Sequence, residues 1–254
     1  MQTDRGREKD LLRTLLANLA GLEEIPPKLK DLGLTAFCAM EGENATGELM
    51  VVGRAVNGWE NKAWKVAELR NEGKIDGIIE GLYNFISMNW VIDCRSHPEK
   101  YNNYPIARSA FWRVTESITK ALIPGTTDTT WPNHLIYSNL YRVSPYEGGN
   151  PSNKLAEIQR KNCIELLKEE IRQWQPKRIL FLTGLNWADK FLTEDGNGLG
   201  KLDIHHKNCD DKKVQMSGKL TIPQGTPIPF VVASHPQRKP ETPLTQAIVE
   251  TFGR

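Results

Sequence analysis

Four short apolar runs recur along the chain, and a polar cluster follows each of them. The runs are LMVV at 49–52, HLIYS at 134–138, RILFL at 178–182 and PFVVA at 229–233. Short runs rich in Val, Ile, Leu and Phe are typical of buried strands when helical stretches separate them. The pattern therefore predicts strands at 48–53, 134–138, 178–182 and 228–233.

Helical periodicity fills the intervals between these runs. Leucines at helical spacing predict a first helix at 7–20, which Gly21 ends. Ser109 is a candidate N-cap, Phe111 lies on the apolar face of the helix that follows, and Cys163 lies on that of a long helix. Further elements are predicted as helices at 74–90, 152–174, 185–192 and 243–252, a hairpin at 199–222 and an irregular loop at 94–105.

Strands that alternate with helices are typical of a parallel sheet covered on both faces. We therefore expect an α/β protein with a three-layer αβα architecture and a four-stranded, mostly parallel central sheet. The 254 residues and 39% hydrophobic content suffice for one large core. A single domain is expected, with an N-terminal helical extension at 1–45 and a core at 48–240.

The polar clusters after the runs are the candidate functional segments. They are Gly53–Trp59, Asn139–Arg142, Thr183–Asn186 and Ser234–Lys239. In an open α/β sheet, ligands bind beyond the carboxyl ends of the strands. The clusters should then line one rim of a cleft, and their amide, glycine-rich, His-Pro and basic groups suit a polar, anionic ligand.

Composition narrows the classes of partner and cofactor. The net charge is +2 and the pI is about 8.3, which is milder than the footprint of a dedicated nucleic-acid binder. The four cysteines form no Cys-x-x-Cys pair. The neighbours His205 and His206 would point to opposite faces of a strand. We therefore expect no metal and no cofactor.

The hydropathy of the chain predicts its location. The N-terminal segment MQTDRGREKD lacks the apolar stretch of a signal peptide, and no run is long enough to span a bilayer. We expect a cytoplasmic, monomeric protein with reduced thiols and no membrane partner.

Several common enzyme motifs are missing from the sequence. The segment Gly53–Gly58 lacks the Lys-Ser/Thr of a phosphate-binding loop and the G-x-G-x-x-G of a dinucleotide site. No G-x-S-x-G occurs. These absences argue against a nucleotidase, a dehydrogenase and a serine hydrolase of the commonest type.

From about residue 48 to 240, the order of the clusters resembles the uracil-DNA glycosylase superfamily. The turn Gly53–Gly58 is similar to the family's water-activating and base-cradling motif, and Arg108-Ser109 resembles the Arg-Ser that opens a helix in its iron–sulfur branch. Tyr-Ser-Asn139 resembles the Thr-Asn that reads the base, and Ser234-His235-Pro236 with Gln-Arg resembles the His-Pro-Ser motif and its DNA-inserting loop. The segment 151–192 is similar to the family's long helix and third strand.

The resemblance implies a protein that binds DNA, single- or double-stranded, flips out a uracil or a related deaminated base and hydrolyses its N-glycosidic bond. Asn139 would pair with the base edge and Tyr104 would stack on it, with Tyr101 or Phe111 as alternatives. His235 would stabilise the departing base. The implied sets are catalytic His235 and Asn57, base-binding Gly53, Arg54, Ala55, Tyr104 and Asn139, and DNA-binding Ser109, Arg238 and Lys239.

The chain departs from the family at the water-positioning group. The family usually carries Asp, Glu or Asn there, whereas this chain has Arg54 and Ala55. Glu60 and Asp93 are substitutes only if the fold brings them close. The iron–sulfur cysteines are absent, and Gln237 replaces the Ser of His-Pro-Ser. Two other functions therefore stay open, a catalytically silent nucleic-acid-binding module and an enzyme acting on a free nucleoside or other small molecule.

Overall fold

The computed structural model describes residues 4–56, 63–84, 86–101, 104–193 and 196–253. The helices are α1 (Gly6–Ala20), α2 (Pro27–Lys30), α3 (Lys74–Tyr83), α4 (Trp90–Ser96), α5 (Ala110–Leu122), α6 (Asn153–Trp174), α7 (Leu185–Ala188) and α8 (Glu241–Phe252). The strands are β1 (Leu34–Ala36), β2 (Met40–Glu41), β3 (Leu49–Ala55), β4 (Leu135–Tyr141), β5 (Val143–Pro145), β6 (Ile179–Phe181), β7 (Lys201–Lys207), β8 (Val214–Thr221) and β9 (Ile228–Ala233).

The protein is a mixed α/β structure whose central strands pair in parallel. Within the described ranges, seven strands form one sheet in the order β2-β4-β3-β6-β9-β8-β7, and β1 pairs with β5 in a separate small sheet. Strand β6 is parallel to both β3 and β9. Strand β2 joins β4 in antiparallel fashion, and the β7–β8 hairpin joins β9 in the same way. The α/β class is confirmed.

The four strands expected from the apolar runs are β4, β3, β6 and β9, and they are neighbours in the sheet. The expected number of four is wrong, because β2 and the hairpin β7–β8 extend the sheet on its two sides. The hairpin itself was expected, but β7 gives no sign of belonging to a core sheet since most of its side chains are exposed. Strand β2 spans only Met40–Glu41, too short for a periodic signal.

The tertiary contacts divide the chain into two compact units. The first comprises Met1–Ala39, Arg54–Ile86 and Asn139–Gln173, and the second comprises Met40–Gly53, Ser87–Ser138 and Trp174–Arg254. The expectation of a single domain stays a prediction. No helix among the described residues is both long enough and apolar enough to cross a membrane.

The expected helix at 74–90 is wrong. Helix α3 ends at Tyr83, and α4 begins only at Trp90. Between them Ser87 forms a β-bridge with Glu41, and the Met88 N–H donates to the Glu41 carbonyl at 3.3 Å. Pairing with a distant strand thus overrides a helical pattern already weakened by Gly77 and Gly81. The expected loop at 94–105 contains the end of α4 and a 3-10 turn at Pro98–Tyr101.

The other main helices follow their apolar stripes. The buried leucines of α1 are Leu12, Leu15, Leu16 and Leu19, the spacing of one helix face. Helix α6 buries Cys163 as expected, and burial raises the pKa of that thiol to about 12. Strand β9 runs over 228–233, as its apolar run predicts.

The core of the first unit contains a buried ion pair. Arg142 Nη2 donates to Glu170 Oε2 at 2.8 Å, and the two side chains are 1% and 0% exposed. The Arg142 guanidinium also lies 5.9 Å from the Phe37 ring centroid. Beside it, Gln159 Oε1 accepts from the backbone N–H groups of Arg142 and Val143. Helix α6 therefore supplies both the counter-charge and the hydrogen bonds that the chain after β4 requires.

Replacing Glu170 tests this pair. Glu170→Gln keeps the size of the side chain but leaves the buried guanidinium without a counter-charge, so the free energy of unfolding should fall by about 3–5 kcal/mol. Urea unfolding followed by circular dichroism measures it. The matched control is Glu157→Gln on the same helix, whose partner Lys154 forms an exposed pair and whose loss should cost under about 0.5 kcal/mol. Equal losses in both variants would contradict the role assigned to the buried pair.

Candidate active site at the carboxyl edge of the sheet

Three chain segments leave the parallel strands at the same edge. The register aligns Val52 with Phe181 and Phe181 with Val232. Beyond these positions the Leu182 N–H donates to the Val52 carbonyl at 3.0 Å, and the Gly184 N–H donates to the Ala233 carbonyl at 2.8 Å. Gly53, Thr183-Gly184 and His235 therefore lie at one edge of the sheet, whereas the expectation that all four clusters, including Asn139, line one cleft stays a prediction.

His235 follows β9 and is held by its own turn. The Ser234 N–H donates to the Lys213 carbonyl at 2.8 Å, which anchors the start of the turn. The Gln237 N–H donates to His235 Nδ1 at 3.3 Å. Because Nδ1 accepts a hydrogen bond, the neutral imidazole carries its proton on Nε2. The side chain is half-buried, and the N–H donor of this tautomer is at Nε2.

Phe111 is the aromatic side chain that lies against His235. The two rings are 6.3 Å apart and inclined by 29°, a stacked arrangement. Phe111 also contacts Tyr137 of β4 at 5.9 Å. The expectation that Phe111 belongs to the buried face of α5 is wrong. Its neighbour Trp112 lies on the buried face and is 3% exposed, whereas Phe111 is only half-buried. The first turn of α5 therefore offers a partly accessible ring beside the histidine.

Tyr104 lies elsewhere in the second unit. Its ring contacts Trp90 at 6.4 Å, and this is its ring contact among the described residues. The structure therefore favours Phe111, an alternative from the sequence, as the ring that shares a site with His235. Ser109 is the N-cap residue of α5 as expected, but its side chain makes no capping hydrogen bond.

The residues of the expected glycine-rich turn begin inside a strand. Strand β3 runs to Ala55, so Gly53, Arg54 and Ala55 belong to it, and the expected end at Gly53 is wrong. Partial burial lowers the pKa of the Arg54 guanidinium. Arg54 and Ala55 belong to the first unit. Asn57 and Glu60 lie outside the described residues.

Asn139 lies within β4 rather than after it. The strand runs from Leu135 to Tyr141, and Asn139 is fully buried. Arg142, expected at the rim of a cleft, is buried in the ion pair with Glu170. The strand was expected to end at residue 138, before the polar Asn139. It continues to Tyr141 instead. The base-reading role of Asn139 stays a prediction.

Arg238 and Lys239 follow the histidine in a tight turn. The Lys239 N–H donates to the Pro236 carbonyl at 3.0 Å, and Arg238 occupies the third position of this turn with φ +62°. A positive φ at that position normally calls for Gly or Asn. Arg238 is exposed, and neither basic side chain has an ion-pair partner in the described part of the chain. The turn therefore presents an unpaired positive charge next to His235.

Gln215 is a positioning residue that sequence reasoning missed. Its Oε1 accepts from the Leu185 N–H at 2.8 Å and its Nε2 donates to the Cys209 carbonyl at 2.9 Å. It thereby connects the start of α7 to the β7–β8 hairpin. A lone Gln in an alternating strand carries no signal for such a role.

The described residues show no metal site, and comparison with known proteins gives no family. Among the described residues, no group of three or more His, Cys, Asp or Glu side chains is arranged to hold a metal ion. No protein-family model matches the sequence. No curated protein is significantly similar to it either.

The backbone of Arg238 gives a stability prediction. Arg238→Gly removes the cost of a left-handed side-chain-bearing residue, about 1–2 kcal/mol, and part of this gain is offset by the freer unfolded chain. The free energy of unfolding should rise by about 0.5–1 kcal/mol. Gln224→Gly is the matched control, because Gln224 holds φ +64° in the Ile222–Gly225 turn. Thermal unfolding should show a gain in both variants, and a loss in Arg238→Gly alone would mean that its side chain stabilises the turn.

Proposed function

We propose that the protein binds nucleic acid at the carboxyl edge of the sheet and excises uracil or a related deaminated base. The observation that carries the proposal is the His235 turn at the carboxyl edge of the sheet, in which Nδ1 accepts from the Gln237 N–H, so that the neutral imidazole carries its proton on Nε2. Cleaving an N-glycosidic bond develops negative charge on the departing base. A preorganised donor to the base oxygen stabilises that charge, and one such donor is worth roughly 3–4 kcal/mol.

The residues around His235 support a nucleobase, rather than another anion, as the ligand of this site. Phe111 stacks on the imidazole, and its half-buried ring offers an apolar face for a planar ligand. The unpaired Arg238 and Lys239 follow directly and suit the phosphates on either side of a flipped nucleotide. The finer fold assignment, a three-layer uracil-DNA-glycosylase-like domain, belongs to the same proposal and rests on the order of these segments.

A second candidate is a binding module without chemistry. The specific observation in its favour is at β3, where Arg54 and Ala55 stand at the positions that would carry the water-positioning group. Arginine has the wrong charge to stabilise a sugar cation, and alanine cannot orient water. If the protein is an enzyme, it depends mainly on stabilising the leaving base.

Loss of the His235 imidazole tests the enzyme. The rate of base release from oligonucleotides carrying uracil, hypoxanthine or xanthine is measured for the wild type and for His235→Ala. The variant should be about 10²–10³-fold slower on the preferred base, the loss seen when one such donor is removed. His205→Ala, on the exposed strand β7, should match the wild type. If no base is released by the wild type or by Ala55→Asp, while DNA still binds, the binding module is correct.

The basic turn predicts a change in salt dependence. Replacing Arg238 and Lys239 together with Ala removes two phosphate contacts, so the slope of log affinity against log salt should fall by about 1.8 on duplex DNA. The control replaces Lys207 and Lys212, which are exposed at the β7–β8 hairpin, and removes the same charge. Fluorescence anisotropy at several salt concentrations measures both slopes. An unchanged slope in the first variant would remove the turn from the DNA-binding surface.

A further inference from the structure

A series of aromatic rings leads away from His235 within the second unit. Phe111 stacks on His235 at 6.3 Å, and the buried Trp112 connects Phe111, at 5.1 Å, to Trp90, at 5.3 Å. Trp90 in turn lies 6.1 Å from Tyr101 and 6.4 Å from Tyr104. We call Phe111, Trp90, Tyr101 and Tyr104 the aromatic track. These four side chains are half-buried, so each keeps part of its surface in contact with solvent.

The outer end of the track is held in place by polar contacts. The Tyr101 hydroxyl donates to Asp93 Oδ2 at 2.9 Å, and this bond lowers the pKa of the Asp93 carboxyl. The Cys94 thiol donates to the Tyr104 carbonyl at 3.6 Å. Helix α4 thus holds the Tyr101 ring through its hydroxyl and the Tyr104 backbone through its carbonyl. A ring held in this way loses little conformational entropy when a ligand stacks on it.

The charges around the track favour an anionic partner. Of the carboxylates on and beside these elements, Asp93 pairs with Tyr101 and Lys100, Glu116 with Arg95 and Glu241 with Arg113, while Glu99 lies 3.4 Å from His97. Three cations, by contrast, have no ion-pair partner among the described residues, and they are Arg108, Arg238 and Lys239. Arg108 ends the 3-10 turn just before α5. Arg238 and Lys239 follow His235 in the sequence, and Arg108 precedes Phe111.

We propose that the aromatic track binds the unpaired bases of single-stranded nucleic acid next to the nucleotide held at His235. Rings stack on bases of any sequence, and nearby cations bind the phosphates between them. In a duplex the bases are already stacked and do not offer their faces. This inference rests on the proposed function and narrows its substrate class to single strands. A proline-rich peptide also docks on aromatic grooves, but it lacks the phosphates that the unpaired cations would bind.

The test compares single-stranded and duplex ligands. Anisotropy measures the binding of labelled oligothymidylate of roughly 12 nucleotides, within the site sizes of single-strand binders, and of an unmodified duplex of equal length. Tyr101→Leu with Tyr104→Leu should weaken single-strand binding about tenfold or more and leave duplex binding within about twofold. Tyr101→Phe with Tyr104→Phe keeps both rings and should bind as the wild type does. Tyr146→Leu, a half-buried ring of the first unit, should also have no effect.

The outcomes separate this inference from the proposed function. Arg108→Ala should lower the slope of log affinity against log salt on oligothymidylate by about 0.7. An unchanged slope would contradict binding at the aromatic track. Equal single-strand affinity of the Leu and Phe double variants would contradict it as well. Uracil release from single-stranded and from duplex oligonucleotides is measured in the same variants. If the wild type releases uracil while the Leu variant binds single strands normally, the track fails and the enzyme stands. If the rings hold single strands and no base is ever released, the excision proposal fails and the track stands.

Discussion

The parallel pairing of β6 with both of its neighbours is the constraint on which the candidate site depends. Strand β6 spans only Ile179–Phe181, and all three side chains are buried. Its register with β3 and β9 sets the level at which three chain segments leave the sheet. A slip by one residue would turn every side chain of the strand to the opposite face. Burial on both faces therefore fixes the position of the site as well as the core.

Local hydrogen bonds then set the geometry of the candidate site. The Gln237 N–H sets the tautomer of His235, and the Ser234 N–H anchors the turn to the strand beyond. The same turn holds Arg238 at a positive φ, a strained backbone that the surrounding contacts must compensate. Gln175 and Gln224 also hold a positive φ, so the strain at Arg238 does not by itself mark a functional segment. The position of the His235 imidazole, its tautomer and the neighbouring positive charge are thus all set within Ser234–Lys239.

Sequence patterns predict those helices and strands whose bounds follow from the spacing of apolar residues alone. The bounds of β9 and the long helix α6 follow from uninterrupted apolar periodicity. The ends of β3 and β4 do not, because Arg54 and Asn139 are polar residues that continue a strand. Likewise, Phe111 and Trp112 are adjacent aromatics, and only the packing decides which one is buried. The link made by Gln215 joins Leu185 to Cys209, segments that lie far apart in the sequence, and no local pattern encodes it.

The division of the chain into two units has a consequence for biosynthesis. The chain passes from one unit to the other after residues 39, 53, 86, 138 and 173. During translation the first unit therefore lacks a segment until residue 173 has left the ribosome, and the second is incomplete until the last strand and helix emerge. Neither unit is a continuous stretch of chain, in contrast to domains in tandem. Contacts between segments far apart in the sequence slow folding, because the entropy of closing long loops is lost before those contacts form.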